Sequence, residues 1–253
     1  ELIMFWGHNP IYSGPDGELG FGVKEALARK PATIVVDPRE TWLAKRADIW
    51  LQLRPGTDDA LALAMLNVII GEELEDKEFV EKWCHGFEDL AERVKVYTPE
   101  WAEPITWVTA EKIRKAARLF AEIKPSMMEW GCAIEHTPAC FQTVRALLCL
   151  PSITGNIDQP GSWSFGMLPL PPFPQLFDKM PMDQQKKRLG YDDFKVLSGE
   201  LAQLPSAHIP TIFNAIRTGE PYPVRTGFIF GNNALSTYGD VKTVFETLMS
   251  LDY

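Results

Sequence analysis

Short apolar runs that each stop at a turn residue and give way to a helical stretch set the tightest limit on what this chain can fold into. Leu2–Trp6 stops at Gly7, Thr33–Val36 at Asp37-Pro38, and Ile49–Leu53 at Arg54-Pro55-Gly56. Helical spacing covers Val23–Lys30, and Thr57 is placed to cap a long helix reaching about Ile70. Further helices are expected at 76–83, 87–97 and 109–123. Ser126–Trp130 then reads as a strand ending at Gly131, and Ala139–Leu150 as a helix. Strand and helix in alternation predict the α/β class: a doubly wound, mostly parallel sheet with helices on both faces.

The pattern changes after Thr154. Gly155, Pro160, Gly161, Gly166 and the prolines from Pro169 to Pro174 favour irregular loop, because proline fixes φ and removes a donor. A domain crossing is expected here. Residues 1–165 form one Rossmann-like α/β domain. Residues 166–253 form part of a second, with a helix near 208–218, a strand at Thr226–Phe230 and a helix at Val241–Leu251. The chain starts within apolar residues, Glu1-Leu2-Ile3-Met4-Phe5, and stops as abruptly at Ser250-Leu251-Asp252-Tyr253, so it is expected to be cut from something longer.

Composition narrows the function. The net charge is −9, and Lys186-Lys187-Arg188 is the one compact basic run, which argues against nucleic acid as a partner. Leu61–Ile70, the longest strongly apolar stretch, falls far short of the roughly 20 residues that span a membrane, so direct membrane insertion is not expected. Cys84, Cys132, Cys140 and Cys149 form no C-x-x-C pair, so neither a zinc nor an iron–sulfur motif is present. They read as reduced thiols filling apolar space.

Ligands of open parallel sheets bind outside the carboxyl ends of the strands. Four loops stand there: Gly7–Pro10, Asp37–Arg39, Arg54–Asp58 and Gly231–Asn233. Glycine lets the backbone approach a pyrophosphate, Asn offers a donor and an acceptor, and Arg matches phosphate with a planar fork. A strand-end Asp can accept from ribose hydroxyls or guanine N–H groups. Each loop also has a purely structural reading, as tight turn, strand exit or helix start, with Thr57 or Asp58 capping free N–H groups. Their joint placement favours a nucleotide. Neither G-x-G-x-x-G nor G-x-x-x-x-G-K-[ST] occurs.

The order of these pieces resembles the dimethyl sulfoxide reductase family. The segments are Trp6-Gly7-His8-Asn9-Pro10, Val36-Asp37-Pro38-Arg39-Glu40-Thr41, Ala47-Asp48 and Leu53-Arg54-Pro55-Gly56-Thr57-Asp58-Asp59-Ala60-Leu61, followed by Thr154-Gly155-Asn156-Ile157 and Gly231-Asn232-Asn233. Members of that family are molybdenum or tungsten oxidoreductases holding the metal on two molybdopterin guanine dinucleotides. The resemblance implies that Gly7, Asn9, Asp37, Arg39, Pro55, Gly56 and Asp58 hold one dinucleotide, with Asp37 and Asp58 on guanosine. It implies that Gly231 and Asn233 hold part of the other. Ala234 stands where relatives often have proline.

His136 follows the Ser126–Trp130 strand, where relatives often carry Gln near the pterin. It reads either as a hydrogen-bonding or proton-carrying imidazole or as a solvated histidine ahead of a helix. His8 is expected to meet cofactor through its backbone alone. No metal ligand is expected within the chain. The resemblance places that residue, and the iron–sulfur cysteines of many relatives, upstream of Glu1. It also implies iron–sulfur and membrane-anchor subunits as partners of the parent, on the cytoplasmic or periplasmic side of a prokaryotic membrane. The chain by itself is expected to be inactive. Two other readings stand: a hydratase or transhydroxylase of the same family with no net redox change, and a non-catalytic scaffold subunit with this fold.

Overall fold

The computed structural model describes residues 1–13, 18–164, 179–202 and 205–253, so the proline run from Pro169 to Pro174 lies outside the described residues. The chain divides into two compact units, Glu1–Met167 and Leu168–Tyr253.

The first unit is built on four strands, β1 (Leu2–Trp6), β2 (Ala32–Val36), β3 (Ile49–Leu51) and β4 (Ser126–Trp130), all parallel, in the order β3-β2-β1-β4. β1 and β2 are almost wholly buried, as apolar strands covered on both faces must be. One face packs on α1 (Pro10–Ser13), α2 (Glu18–Ala28) and a 3₁₀ turn at Ala44–Arg46, through Phe5, Val23, Val35, Leu43 and Ala44. The larger core covers the other face. It takes Leu2, Met4, Trp6, Ile34 and Val36 from the strands and the buried sides of the helices that follow.

Those helices are α3 (Asp58–Gly71), α4 (Lys77–Trp83), α5 (Phe87–Val94), α6 (Pro99–Thr106), α7 (Ala110–Glu122), α8 (Cys132–Glu135) and α9 (Cys140–Ile153). α3 is buried nearly all round, from Leu61 to Ile69, which is why its sequence shows almost no polar face. α7 buries Ile113, Ala116, Ala117 and Phe120, the spacing of one helical stripe, and the Thr109 hydroxyl accepts from the Lys112 N–H at its start. α6 was not expected from the sequence. Pro104 within it disguises a helix that begins properly, with Thr98 accepting from the Trp101 N–H and Pro99 in the first turn.

Two expectations are corrected. Thr57 precedes α3 but makes no side-chain cap; its hydroxyl instead donates to the Arg54 carbonyl at 2.7 Å and tightens the loop. In the second unit, Thr226–Phe230 is not a strand. Gly227 donates to the Tyr253 carbonyl at 3.1 Å, and Asp252 and Tyr253 donate to the Arg225 carbonyl at 2.9 and 3.4 Å, and the pairing goes no further. No described segment pairs with Phe228–Phe230, so the ladder cannot propagate, and Phe228 and Phe230 are 94% and 90% exposed. The unit otherwise holds α10 (Met182–Gln185), α11 (Ile209–Thr218), α12 (Ala234–Thr237) and α13 (Val241–Met249). No described helix is long and apolar enough to cross a membrane.

Candidate functional site

The strand order creates one topological switch. The chain leaves β1 towards β2 and β3, then returns to add β4 on the opposite side of β1. Connections diverge at the carboxyl ends of β1 and β4, which opens the crevice where sheets of this kind bind ligands. The loops after β1, β2, β3 and β4 all emerge at this end.

The β1 and β4 loops are locked together. The Gly7 N–H donates to Val36 at 2.8 Å and the Gly131 N–H to Trp6 at 3.1 Å. Gly7 has φ +58°, a left-handed conformation that costs a residue with a Cβ roughly 1–2 kcal/mol. Gly131 is glycine for space: a Cβ there would lie 2.6 Å from the Gly7 carbonyl oxygen and 3.1 Å from the His8 Cα. Asn9 caps the turn into α1 with its carbonyl, accepting from Tyr12 and Ser13. Its side-chain Oδ1 is buried without a donor. A buried orphan acceptor costs free energy unless a ligand or water supplies the missing N–H or O–H.

Beneath this turn two carboxylates are fixed by the protein. Trp6 is fully buried and its Nε1–H donates to Asp58 Oδ1 at 2.9 Å, tying the end of β1 to the first turn of α3. Burial pushes the Asp58 carboxyl above its ordinary range, and the indole bond opposes that. Asp37, at the end of β2, is 5% exposed. Its Oδ1 accepts from the Arg39 N–H at 2.7 Å in an Asx turn, and its carbonyl accepts from Trp50 Nε1 at 2.9 Å. The Arg39 guanidinium is 77% exposed, with Nε 3.9 Å from that same Oδ1. The loop after β3 presents Arg54, Pro55 and Gly56 to solvent, with the Arg54 guanidinium over the Trp107 ring.

A further pair was not singled out in the sequence. His8 Nδ1 lies 3.1 Å from Glu129 Oε1 on β4, and each side chain is 17% exposed. Burial pushes the Glu129 carboxyl up, and His8 opposes it. The signal was available: Glu129 is the one charged residue in the otherwise neutral strand Ser126–Trp130.

Unit one thus brings Gly7, Asn9, Asp37, Arg39, Pro55, Gly56 and Asp58 to one end of one sheet. His136 also belongs to this end, exposed at the end of α8, and its side chain has no hydrogen-bond partner among the described residues. Gly231 and Asn233 belong to the second unit. Both are exposed, Gly231 has φ +58°, and the Asn233 carbonyl starts α12 by accepting from Ser236 and Thr237. No cluster of three or more His, Cys, Asp or Glu side chains suited to a metal occurs among the described residues. The donor set of unit one fits a dinucleotide better than a metal. It combines an orphaned amide oxygen, an exposed guanidinium at a strand end, an open Gly56 turn and carboxylates beside them.

The family described as Molybdopterin oxidoreductase matches residues 1–252. Acetylene hydratase of Syntrophotalea acetylenica is 37% identical over 91% of this chain and 34% of its own length. Formate dehydrogenase H of Escherichia coli is 31% identical over the whole chain and 36% of its own length. The solved acetylene hydratase from Pelobacter acetylenicus superposes with a TM-score of 0.75 at 32% identity, covering 99% of this chain and 37% of that one. The chain spans about a third of the length of these relatives. With a parallel α/β sheet and a family match along almost its full length, the chain belongs to the molybdopterin oxidoreductase family.

Proposed function

We propose that the crevice of the first unit holds the guanosine end of one molybdopterin guanine dinucleotide, and that the loop at Gly231 and Asn233 holds part of a second. The observation that carries this reading is the buried Asn9 Oδ1 without a donor at the β1–β4 switch, an acceptor positioned for a ligand N–H or O–H. Asn9 accepts from the dinucleotide. The backbone at Gly7 and Gly56 allows close approach, and Arg39 neutralises phosphate charge. Asp37 and Asp58, held by Arg39 N–H and Trp6 respectively, accept from guanosine, and His136 adds a hydrogen bond from the β4 loop.

In this reading the parent is a molybdenum- or tungsten-dependent oxidoreductase whose metal supplies the redox chemistry when bound. This chain grips and orients the nucleotide, while the metal ligand and any iron–sulfur centre or partner subunits lie outside it. The likeness to acetylene hydratase favours one alternative, a parent that hydrates its substrate without net redox change.

The test is chemical. Acid release from the full-length protein is expected to yield guanine nucleotide in stoichiometric amount, and the 253-residue chain is expected to hold no stoichiometric molybdenum or tungsten. GDP is expected to raise the melting temperature of the chain. Full-length protein loaded with metal but free of guanine nucleotide would sink the reading.

A further inference from the structure

The His8–Glu129 contact is unusual for its place. A largely buried carboxylate on a strand costs free energy, even on the edge strand β4, and burial does push this carboxyl up. Phe5 and Glu129 are register partners, so Glu129 stands on the same row as core residues. An apolar side chain would satisfy that row. A carboxylate there needs a polar partner, and it has one: His8, the residue between Gly7 and Asn9 in the ligand-facing turn.

The ring is held from one side. His8 Nδ1 is sealed from solvent 3.1 Å from Glu129 Oε1, in ion-pair contact but out of line for a hydrogen bond, and Gly131 packs on the His8 Cα and Cβ so closely that a Cβ at 131 would sit 3.1 Å from each. Nε2 has no partner among the described residues. A carboxylate facing Nδ1 selects the tautomer with its proton on Nδ1 and leaves Nε2 as a lone-pair acceptor. The neighbouring Asn9 Oδ1 is likewise an acceptor without a donor.

We propose that Glu129 is a positioning residue that orients the His8 ring, so that Nε2 joins Asn9 Oδ1 in accepting N–H or O–H groups of the ligand in the β1–β4 crevice. This rests on the reading of the crevice as a guanine dinucleotide site. It assigns the His8 side chain a binding role that the loop sequence alone did not give it. It also accounts for a charge in the sheet. Two such acceptors suit the donor groups of a base or sugar rather than the oxygens of a phosphate.

The experiment is a double-mutant cycle on the full-length protein, reading guanine nucleotide retained per chain during timed dialysis. Glu129→Leu is expected to speed loss about tenfold when His8 is present and to add nothing in a His8→Ala background. Glu129→Gln, whose amide oxygen keeps a partial negative charge facing Nδ1, is expected to retain near wild-type nucleotide. In long-range ¹H–¹⁵N spectra of the chain, His8 is expected to carry its proton on Nδ1, and Glu129→Leu to move it to Nε2. Equal loss with and without His8, or an unchanged tautomer in Glu129→Leu, overturns the positioning role while leaving the crevice assignment standing. Wild-type protein free of guanine nucleotide overturns both.

Discussion

Replacing Asp58 separates what the protein needs from what the ligand needs. The Trp6 indole is fully buried, and Asp58 Oδ1 at 2.9 Å is its acceptor. Asp58→Ala therefore strands a buried N–H, which costs about 1–3 kcal/mol. For a protein of this size each kcal/mol lowers Tm by about 2–4 °C, so a fall of about 2–12 °C is expected in a thermal melt. Asp58→Asn keeps an oxygen for the indole and removes the charge. The sign of its pH dependence follows from the upward shift of the carboxyl. A folded pKa above the unfolded value means that this group's contribution is fully present below the unfolded value, about 3.9, and is lost as pH rises through the folded one. Asn cannot ionise, so Asp58→Asn gains stability relative to wild type between pH 4 and pH 7. The favourable charge at the start of α3 offsets part of that gain. Melts at both pH values for all three proteins decide the matter. If Asp58→Ala melts with wild type, or Asp58→Asn falls as far as Asp58→Ala, the indole bond does not hold the loop as described.

Three other outcomes are expected. Gly131→Ala places a Cβ 2.6 Å from the Gly7 oxygen and should cost about 1–3 kcal/mol in chemical denaturation, whereas Gly56→Ala meets no atom within 4 Å and should cost only the strain of its positive φ. Asp37→Asn preserves the Asx turn to Arg39 and should leave stability unchanged; Asp37→Ala in the full-length protein should lower guanine nucleotide content, and unchanged content would count against Asp37 as a guanosine contact. Burial pushes the thiols of Cys84 and Cys149 up while Cys132 is exposed, so mild alkylation at neutral pH should mark Cys132 first by peptide mapping. Early modification of Cys84 would contradict its burial.

The first unit was largely legible because its signals are local. Four apolar runs ending at Gly7, Asp37, Arg54 and Gly131 gave the strands and the end of the sheet where ligands bind. Strand order was not legible, since a return of the chain to the far side of β1 leaves no mark in periodicity. The loops were visible as Gly, Asn, Asp and Arg at strand ends. What those side chains touch was not: the Trp6–Asp58 bond links residues 52 positions apart, and His8 meets Glu129 across two strands. In the second unit an apolar, β-prone stretch at Thr226–Phe230 pointed to a strand that does not form, because a strand also needs a neighbour, which local sequence does not encode.

The order of strands also sets when the crevice can exist. β1 is the first strand in the chain, and β4 begins more than a hundred residues later, past seven helices. Residues 1 to about 125 supply three strands, most of the core and three of the four loops, yet no crevice, because one wall is absent. During synthesis the crevice is thus complete only late, once the return strand has emerged and Gly131 packs on Gly7. In the proposed reading, capture of the dinucleotide therefore requires the return strand as well as the first three loops, and so reports on a finished sheet.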